Sequence, residues 1–508
     1  MASWHRGADA ALETDIEALA KTVSAFVVTS VLPGAIRSDT IEALRATERS
    51  SRNAPGAKGR VSTLIIPHDR SWEPFGIVKD GKGNVSFNLM DDSDDEEIVS
   101  DSKKAPSPEV IQTSTKTTKA FLDSCATALV DAHKGKVAVY CGGEALLATD
   151  GALQAVGAIT EILGGELLCE NNFSRVDRGN DLPHPKRLPY FPKDAAAQLS
   201  KYEVVVCVDV KRPIAMFGYE NSGPSHLLRL NEEKIWDLDV GGGVLSVAEI
   251  SVLLRDAVAR KLGREIPTSA TTNQNAYWTV PPRSVPKLPS MTQKQKLTPD
   301  SMCTIIAALQ PANCVVVDES LTSGTNYWDR SAGCQRFAHL TLTGGAIGFG
   351  PCASLGAAVA LEQESTKNTR YVINIQADGC AAYAPQALWT QAKEKLNVVT
   401  VICANRRYAI LELEKMMQRT NTGTPATGSG KGAGMTVAGN PASNSTPPPT
   451  EPASKRLTSL QNPHVEWTKV ASGFGVFSEQ VSSPDHFATA FQNALRRKGP
   501  TLIEALLL

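Results

Sequence analysis

Tyr371-Val372-Ile373-Asn374-Ile375-Gln376-Ala377-Asp378-Gly379-Cys380 is a strand-like run that ends in one carboxylate and one glycine. A helix is predicted from about Pro385 to Lys395, then a second strand from Asn397 to Ala404 that ends in Asn405-Arg406-Arg407-Tyr408. Strand, helix, strand in that order predicts a right-handed crossover between parallel neighbours, and with it an α/β chain. Asp378 and Asn405 then stand at the C-terminal ends of adjacent strands, over the crevice where open α/β sheets bind ligands. A carboxylate, an amide oxygen and a nearby main-chain carbonyl make an oxygen-only donor set. Mg²⁺ takes such a set, with phosphate oxygens and water completing the octahedron. The plainer alternative is that Asp378 merely caps its turn.

Two junctions of the same kind lie upstream. Val315-Val316-Val317-Asp318-Glu319 runs into Ser320-Leu321-Thr322-Ser323-Gly324. Hydroxyls and backbone N–H groups at a strand end suit a phosphate, although a simple turn looks the same. Thr343-Gly344-Gly345-Ala346-Ile347-Gly348-Phe349-Gly350-Pro351 has glycines that let a ligand or another backbone approach closely, ahead of a helix predicted over Ala353–Leu361.

Working outward, residues 300–508 form one α/β domain, closed by the strand Thr501–Ala505 and interrupted over 420–456 by a low-complexity loop. Residues 266–299 read as a linker. Residues 119–265 predict a second parallel-sheet domain, with strands at Val137–Tyr140 and Val204–Val210 and a helix over Leu153–Leu163. A further helix runs from the capping box Ser246-Val247-Ala248-Glu249 to about Leu262. Gly142-Gly143 and Gly241-Gly242-Gly243 invite a nucleotide- or NAD-binding reading, which the absence of GxGxxG weakens. Residues 79–118, with an acidic block at 91–97, predict a disordered insertion. Residues 1–78 read as the tail of an α/β domain. One helix runs from Thr14 through Leu19, Val23 and Phe26, a second opens at Asp39-Thr40-Ile41-Glu42, and a strand covers Ser62–Ile66.

At 508 residues, 42% hydrophobic and 21% charged, this is ordinary globular composition for about three domains. Lys and Arg number 52 against 53 Asp and Glu, so charge gives no case for nucleic acid or a membrane surface. No apolar run is long enough for a bilayer, and Asp9, Glu13, Asp15 and Glu17 speak against a secretory signal. Ten cysteines without a CxxC pair argue against zinc ribbons and disulfide scaffolds. Several, such as Cys207 and Cys403, sit in apolar runs and read as buried reduced thiols, which fits the cytoplasm.

Ala377-Asp378-Gly379, with Asn405 twenty-seven positions after the aspartate, resembles the metal–diphosphate motif of thiamine-diphosphate-dependent enzymes, GDG followed by NN. Ala377 and Ala404 depart from that motif at positions whose side chains do not ligate metal. The text over 343–351, 376–390 and 403–411 is similar to the acetolactate synthase large subunit-like and benzoylformate decarboxylase-like members. The resemblance implies tandem parallel-sheet domains: a partial pyrimidine domain, a central Rossmann-like domain and a pyrophosphate-binding domain. It implies thiamine diphosphate and Mg²⁺ as cofactors, leaves FAD open, and implies a 2-oxo acid substrate and a homodimer or homotetramer. By resemblance, Asp378, Asn405 and the Arg407 carbonyl would hold Mg²⁺. Leu321, Thr322, Gly379, Cys380 and Tyr408 would line the diphosphate, with Cys380 standing where a serine is usual. The Gly345 carbonyl would accept from the aminopyrimidine, and Ile347 would be the apolar wedge that bends the cofactor.

The resemblance also implies an activating glutamate in the first domain, upstream of the strand at Ser62. The chain starts too near that strand to contain it, and Glu13, Glu17, Glu42 and Glu48 read as helix-face or loop charges. No catalytic residue is therefore assigned. The chain reads either as an incomplete version of a longer polypeptide or as a short protein that binds cofactor without turnover, serving as an assembly subunit.

Overall fold

The computed structural model describes residues 2–5, 8–48, 61–71, 77–79, 85–87, 119–219, 226–238, 245–264, 283–290, 295–363, 370–421 and 453–507. The acidic block at 91–97, Gly241-Gly242-Gly243, most of the 266–299 linker and the low-complexity text over 422–452 lie outside them. The chain divides into two compact units.

One unit comprises residues 1–115, 189–201 and 212–229. Its strands β1 (Phe26–Thr29) and β2 (Ser62–Ile65) pair in parallel, Phe26 opposite Ser62. Asp15 caps the helix Ile16–Lys21 by accepting from Ala18 N at 2.9 Å. That helix stops well short of the predicted run through Phe26. Phe26-Val27-Val28-Thr29 is aromatic and β-branched, and it gains strand hydrogen bonds from β2 instead. The second helix spans Ile36–Glu48, so it opens before Asp39 rather than at it. The stretch read as an insertion begins with an antiparallel pair, β3 (Ile77–Lys79) and β4 (Val85–Phe87).

The other unit comprises residues 116–188, 202–211 and 230–508. Its chain runs through β5 (Val137–Cys141), β6 (Glu166–Cys169), β7 (Arg175–Arg178), β8 (Lys186–Arg187), β9 (Val204–Val208) and β10 (Ile235–Leu238). All but β7 form a parallel sheet in the order β10-β9-β5-β6-β8. β5 and β9 are buried along their whole length, as uninterrupted apolar runs require when both faces are covered. β9 ends at Val208, two residues before the predicted stop, because Asp209 turns the chain in the left-handed region at φ 50°. The capping box forms as the sequence predicts: Ser246 Oγ accepts from Glu249 N at 3.2 Å and Glu249 Oε2 from Ser246 N at 2.7 Å, opening the helix Val247–Lys261.

The second sheet of this unit contains β11 (Val315–Glu319), β12 (Phe337–Thr341), β13 (Val372–Ala377), β14 (Val398–Ala404), β15 (Phe477–Val481) and β16 (Thr501–Leu506). Its order is β15-β16-β14-β13-β11-β12-β7, parallel except for β7, which leaves the first sheet's stretch of chain and pairs antiparallel to β12. One side packs on Met302, Ile306, Phe487 and Phe491 of the helices Pro299–Leu309 and Pro484–Ala494. The helix Phe349–Gln363 covers part of the other. Among the described residues no helix is long and apolar enough to cross a membrane. All ten cysteines are free, and nine of them are buried.

At the end of β6, burial pushes the Glu170 carboxyl up to about 7. Folded Glu170 therefore keeps a proton where the unfolded chain has lost it. The resulting loss of stability grows as pH rises from about 4.5 to about 7 and is complete above that window. Glu170→Gln should raise stability at pH 8 by about 2 kcal/mol and leave it unchanged near pH 4. Denaturant titrations at the two pH values check this; an equal effect at both would show that the charge is not the cause.

Candidate cofactor site

Ala377 pairs with Cys403 at the C-terminal ends of β13 and β14, so Asp378 and Asn405 leave neighbouring strands at the same rim. Asp378 Oδ1 accepts from Gly379 N at 2.9 Å, and its Oδ2 accepts from Arg406 N at 2.7 Å, so the carboxylate bridges the two turns. Asn405 Oδ1 accepts from Arg407 N at 3.0 Å, and Asn405 Nδ2 donates to Ser323 Oγ at 3.2 Å. Ser323 belongs to the turn Leu321–Gly324 that follows β11. Three strand ends thus converge. Leu321 and Arg406 both sit in the left-handed region, at φ 50° and 56°, a strain that clusters at functional turns.

The Asp378 carboxylate is buried, and both of its hydrogen-bond donors are neutral backbone N–H groups. Burial pushes it up to about 6, against the opposing pull of those N–H groups. A buried carboxylate that forms no ion pair among the described residues favours a metal ion beside it. Each Asp378 oxygen and Asn405 Oδ1 accept one hydrogen bond and keep a second lone pair. Among the described residues none donates to the Arg407 carbonyl. No group of three His, Cys, Asp or Glu gathers among the described residues, so the donors are oxygens of the kind Mg²⁺ takes, not a zinc-type cluster.

The remaining candidates surround this rim. Gly379 lies under the Tyr408 ring, where an added Cβ would stand 2.4 Å from Cε1. Tyr408 N donates to Thr458 O at 2.8 Å, so the rim is braced by the helix Ala453–Thr458 that follows the low-complexity text. Cys380 is buried, and burial pushes its thiol up, so it stays a neutral weak donor. Thr322 lies in the turn that Ser323 ties to Asn405. In the turn after β12, Gly344 and Gly345 adopt φ 68° and 75°, which only glycine takes without strain. Ile347 is half-buried beside them.

The sequence reading passed over several residues. Ser323, Glu319 and Gln376 lay inside quoted stretches but carried no signal, because their partners are 29 to 82 positions away. Asp318 was also missed. Burial alone would raise its carboxyl, but the His339 ring, 3.4 Å away, and Ser320 hold it below the usual range. By contrast, the Gly142-Gly143 turn is filled by Asp209, whose Oδ2 takes the Glu144 N–H at 2.7 Å. A phosphate there would meet a carboxylate, which disfavours the nucleotide-loop reading.

The family profile described as "Thiamine pyrophosphate enzyme, C-terminal TPP binding domain" matches residues 322–505, which include the ends of β13 and β14 and most of the turn that follows β11. Residues 322–505 are thus similar to the C-terminal domain of thiamine pyrophosphate enzymes. The chain is 29% identical over 505 residues to the protein named "Putative acetolactate synthase large subunit IlvX" of Mycobacterium tuberculosis, covering 99% of this chain and 79% of that one. It is 25% identical over 224 residues to benzoylformate decarboxylase of Pseudomonas aeruginosa, covering 44% of this chain and 35% of that one. The fold matches that of the thiamine diphosphate-dependent 4-hydroxybenzoylformate decarboxylase of Rhodococcus jostii, with TM-score 0.53 at 18% identity over 100% of this chain and 81% of that one. It also matches benzoylformate decarboxylase of Polynucleobacter necessarius, with TM-score 0.52 at 17% identity over 97% and 78%.

Proposed function

We propose that the chain binds thiamine diphosphate with Mg²⁺ at the β11, β13 and β14 strand ends and acts on 2-oxo acids by decarboxylation, carboligation or both. The observation that carries this reading is the buried Asp378 carboxylate, whose hydrogen-bond donors among the described residues are neutral N–H groups, and which shares its rim with Asn405. Asp378 and Asn405 side chains and the Arg407 carbonyl would hold the metal. Leu321, Thr322, Gly379, Cys380 and Tyr408 would line the diphosphate. The Gly345 carbonyl would accept from the aminopyrimidine, with Ile347 as the apolar support. When bound, the cofactor supplies an electron sink for loss of CO₂ from the 2-oxo acid, and the protein contributes orientation and electrostatics. Residues 1–78, 119–265 and 300–508 would then belong to a pyrimidine-binding domain, the central domain and the pyrophosphate-binding domain of a homodimer or homotetramer. A reducing compartment such as the cytoplasm fits the nine buried free thiols.

A second reading is a cofactor-binding or assembly subunit without turnover of its own. It is favoured by the glutamates of residues 1–78: Glu17 accepts from the Thr29 hydroxyl at 2.6 Å, and Glu42 is exposed on its helix. CO₂ release is measured from aromatic and aliphatic 2-oxo acids with thiamine diphosphate and Mg²⁺. Release by the chain alone supports the first reading. Cofactor binding without release, with release on adding a homologue that itself releases CO₂ from 2-oxo acids, supports the second. Failure to bind the cofactor contradicts both.

A further inference from the structure

Glu319 ends β11 with its side chain buried, only 1% of the residue being exposed. Its Oε1 accepts from Gly348 N at 2.7 Å and from Phe349 N at 3.2 Å. Its Oε2 accepts from Gly350 N at 2.9 Å and from Gln376 Nε2 at 2.6 Å. Four donors close on two oxygens. Three of them are N–H groups at the start of the helix Phe349–Gln363, where the helix dipole also favours negative charge.

The three loops of the candidate site meet at this carboxylate. Ser320-Leu321-Thr322 follows it directly in the chain. The N–H groups of Gly348, Phe349 and Gly350 continue the turn that carries Gly345 and Ile347. Gln376 lies two positions before Asp378 on β13. The seat has no slack. A Cβ on Gly350 would lie 1.9 Å from Gln376 Oε1, and Gly348 turns the chain at φ 105°.

We infer that Glu319 is a positioning residue that fixes the Gly345 carbonyl and Ile347 against the organic part of the cofactor, while Asp378 and Asn405 answer for its diphosphate. The inference rests on the thiamine-diphosphate reading of the same site. A glutamine at 319 has the same shape but offers one acceptor oxygen to four donors, and it points an NH₂ group at two of them. The turn loosens, and the metal rim keeps its own hydrogen bonds.

The full chain and its Glu319→Gln and Glu319→Asp variants are titrated calorimetrically with thiamine diphosphate and, separately, with inorganic pyrophosphate, each with Mg²⁺. Glu319→Gln should weaken thiamine diphosphate about tenfold or more and change pyrophosphate by less than about twofold, with Glu319→Asp in between. Wild-type affinity for both ligands in Glu319→Gln overturns the inference. So does an equal loss for both, which would mark Glu319 as a support of the whole domain rather than of the turn. If Glu319→Gln does not fold, the same ratio measured on Glu319→Asp decides. A wild-type chain without affinity for thiamine diphosphate overturns the underlying reading and the inference together. Wild-type binding with an unchanged variant overturns the inference alone.

Discussion

Asp378→Ala is expected to weaken thiamine diphosphate binding in the presence of Mg²⁺ by about a hundredfold or more, because it removes the only carboxylate among the proposed metal ligands. Asp378→Asn separates two contributions. The amide oxygen still accepts one backbone N–H, so the bridge from the β13 turn to the β14 turn is partly kept, while the charge is gone. If Asp378 is a metal ligand, Asn should lose most of the affinity with the melting temperature of the apo protein close to wild type. If Asp378 only caps its turn, Asn should bind nearly as well as wild type. Calorimetry beside thermal melts reads both quantities. Binding unchanged in Asp378→Ala would remove the site from this rim.

The second large effect is on stability. Arg178 on β7 is a buried cation, and burial pulls it down only to about 10, so it stays charged at neutral pH. Its guanidinium lies 4.0 Å over the Trp328 ring and donates to the Trp328 carbonyl and, at 2.8 Å, to Ser331 Oγ. Nη1 is 3.3 Å from His339 Nδ1, and His339 Nε2 is 3.4 Å from Asp318 Oδ2. Burial pulls His339 down to about 4, so the ring is neutral and passes the influence of the cation to the Asp318 carboxylate as a dipole. This polar line crosses from β7 to β11, just before the Leu321 turn. Arg178→Ala removes the packing and leaves the Trp328 carbonyl and Ser331 short of a donor, so it should destabilise the protein by about 3 kcal/mol or more. Arg178→Met restores apolar volume and should recover part of that, and Arg178→Lys lacks the planar fork and should not recover it fully. Chemical denaturation of the three variants tests this. An Arg178→Met protein as stable as wild type would show that packing, and not the polar line, holds β7 to β12.

The parts of this molecule legible in the sequence are those whose signal is local. Val137–Cys141, Val315–Glu319, Val372–Ala377 and Val398–Ala404 are apolar runs that stop at turn residues, and each is a buried or nearly buried parallel strand. Asp378 and Asn405 could be placed together because one crossover fixes the register of their strands. Ser246 and Glu249 lie within one helical turn and identify their own cap. What was illegible depends on partners far along the chain. Arg175-Val176-Asp177-Arg178 looks like an exposed charged segment, yet it is a strand because β12 lies beside it and Arg178 finds Trp328 and Ser331 about 150 residues on. Phe26–Thr29 fits helical spacing, and only the presence of β2 turns it into a strand. Glu319 looks like one more turn residue until Gly348, Gly350 and Gln376 are seen around it.

The most direct measurement is a crystal structure of the full chain grown with thiamine diphosphate and Mn²⁺ in place of Mg²⁺, read by the anomalous signal of the metal. The account predicts one peak within ligating distance of an Asp378 carboxylate oxygen, Asn405 Oδ1 and the Arg407 carbonyl, with diphosphate oxygens completing its shell. A peak elsewhere, or a bound diphosphate with no metal between Asp378 and Asn405, would contradict it.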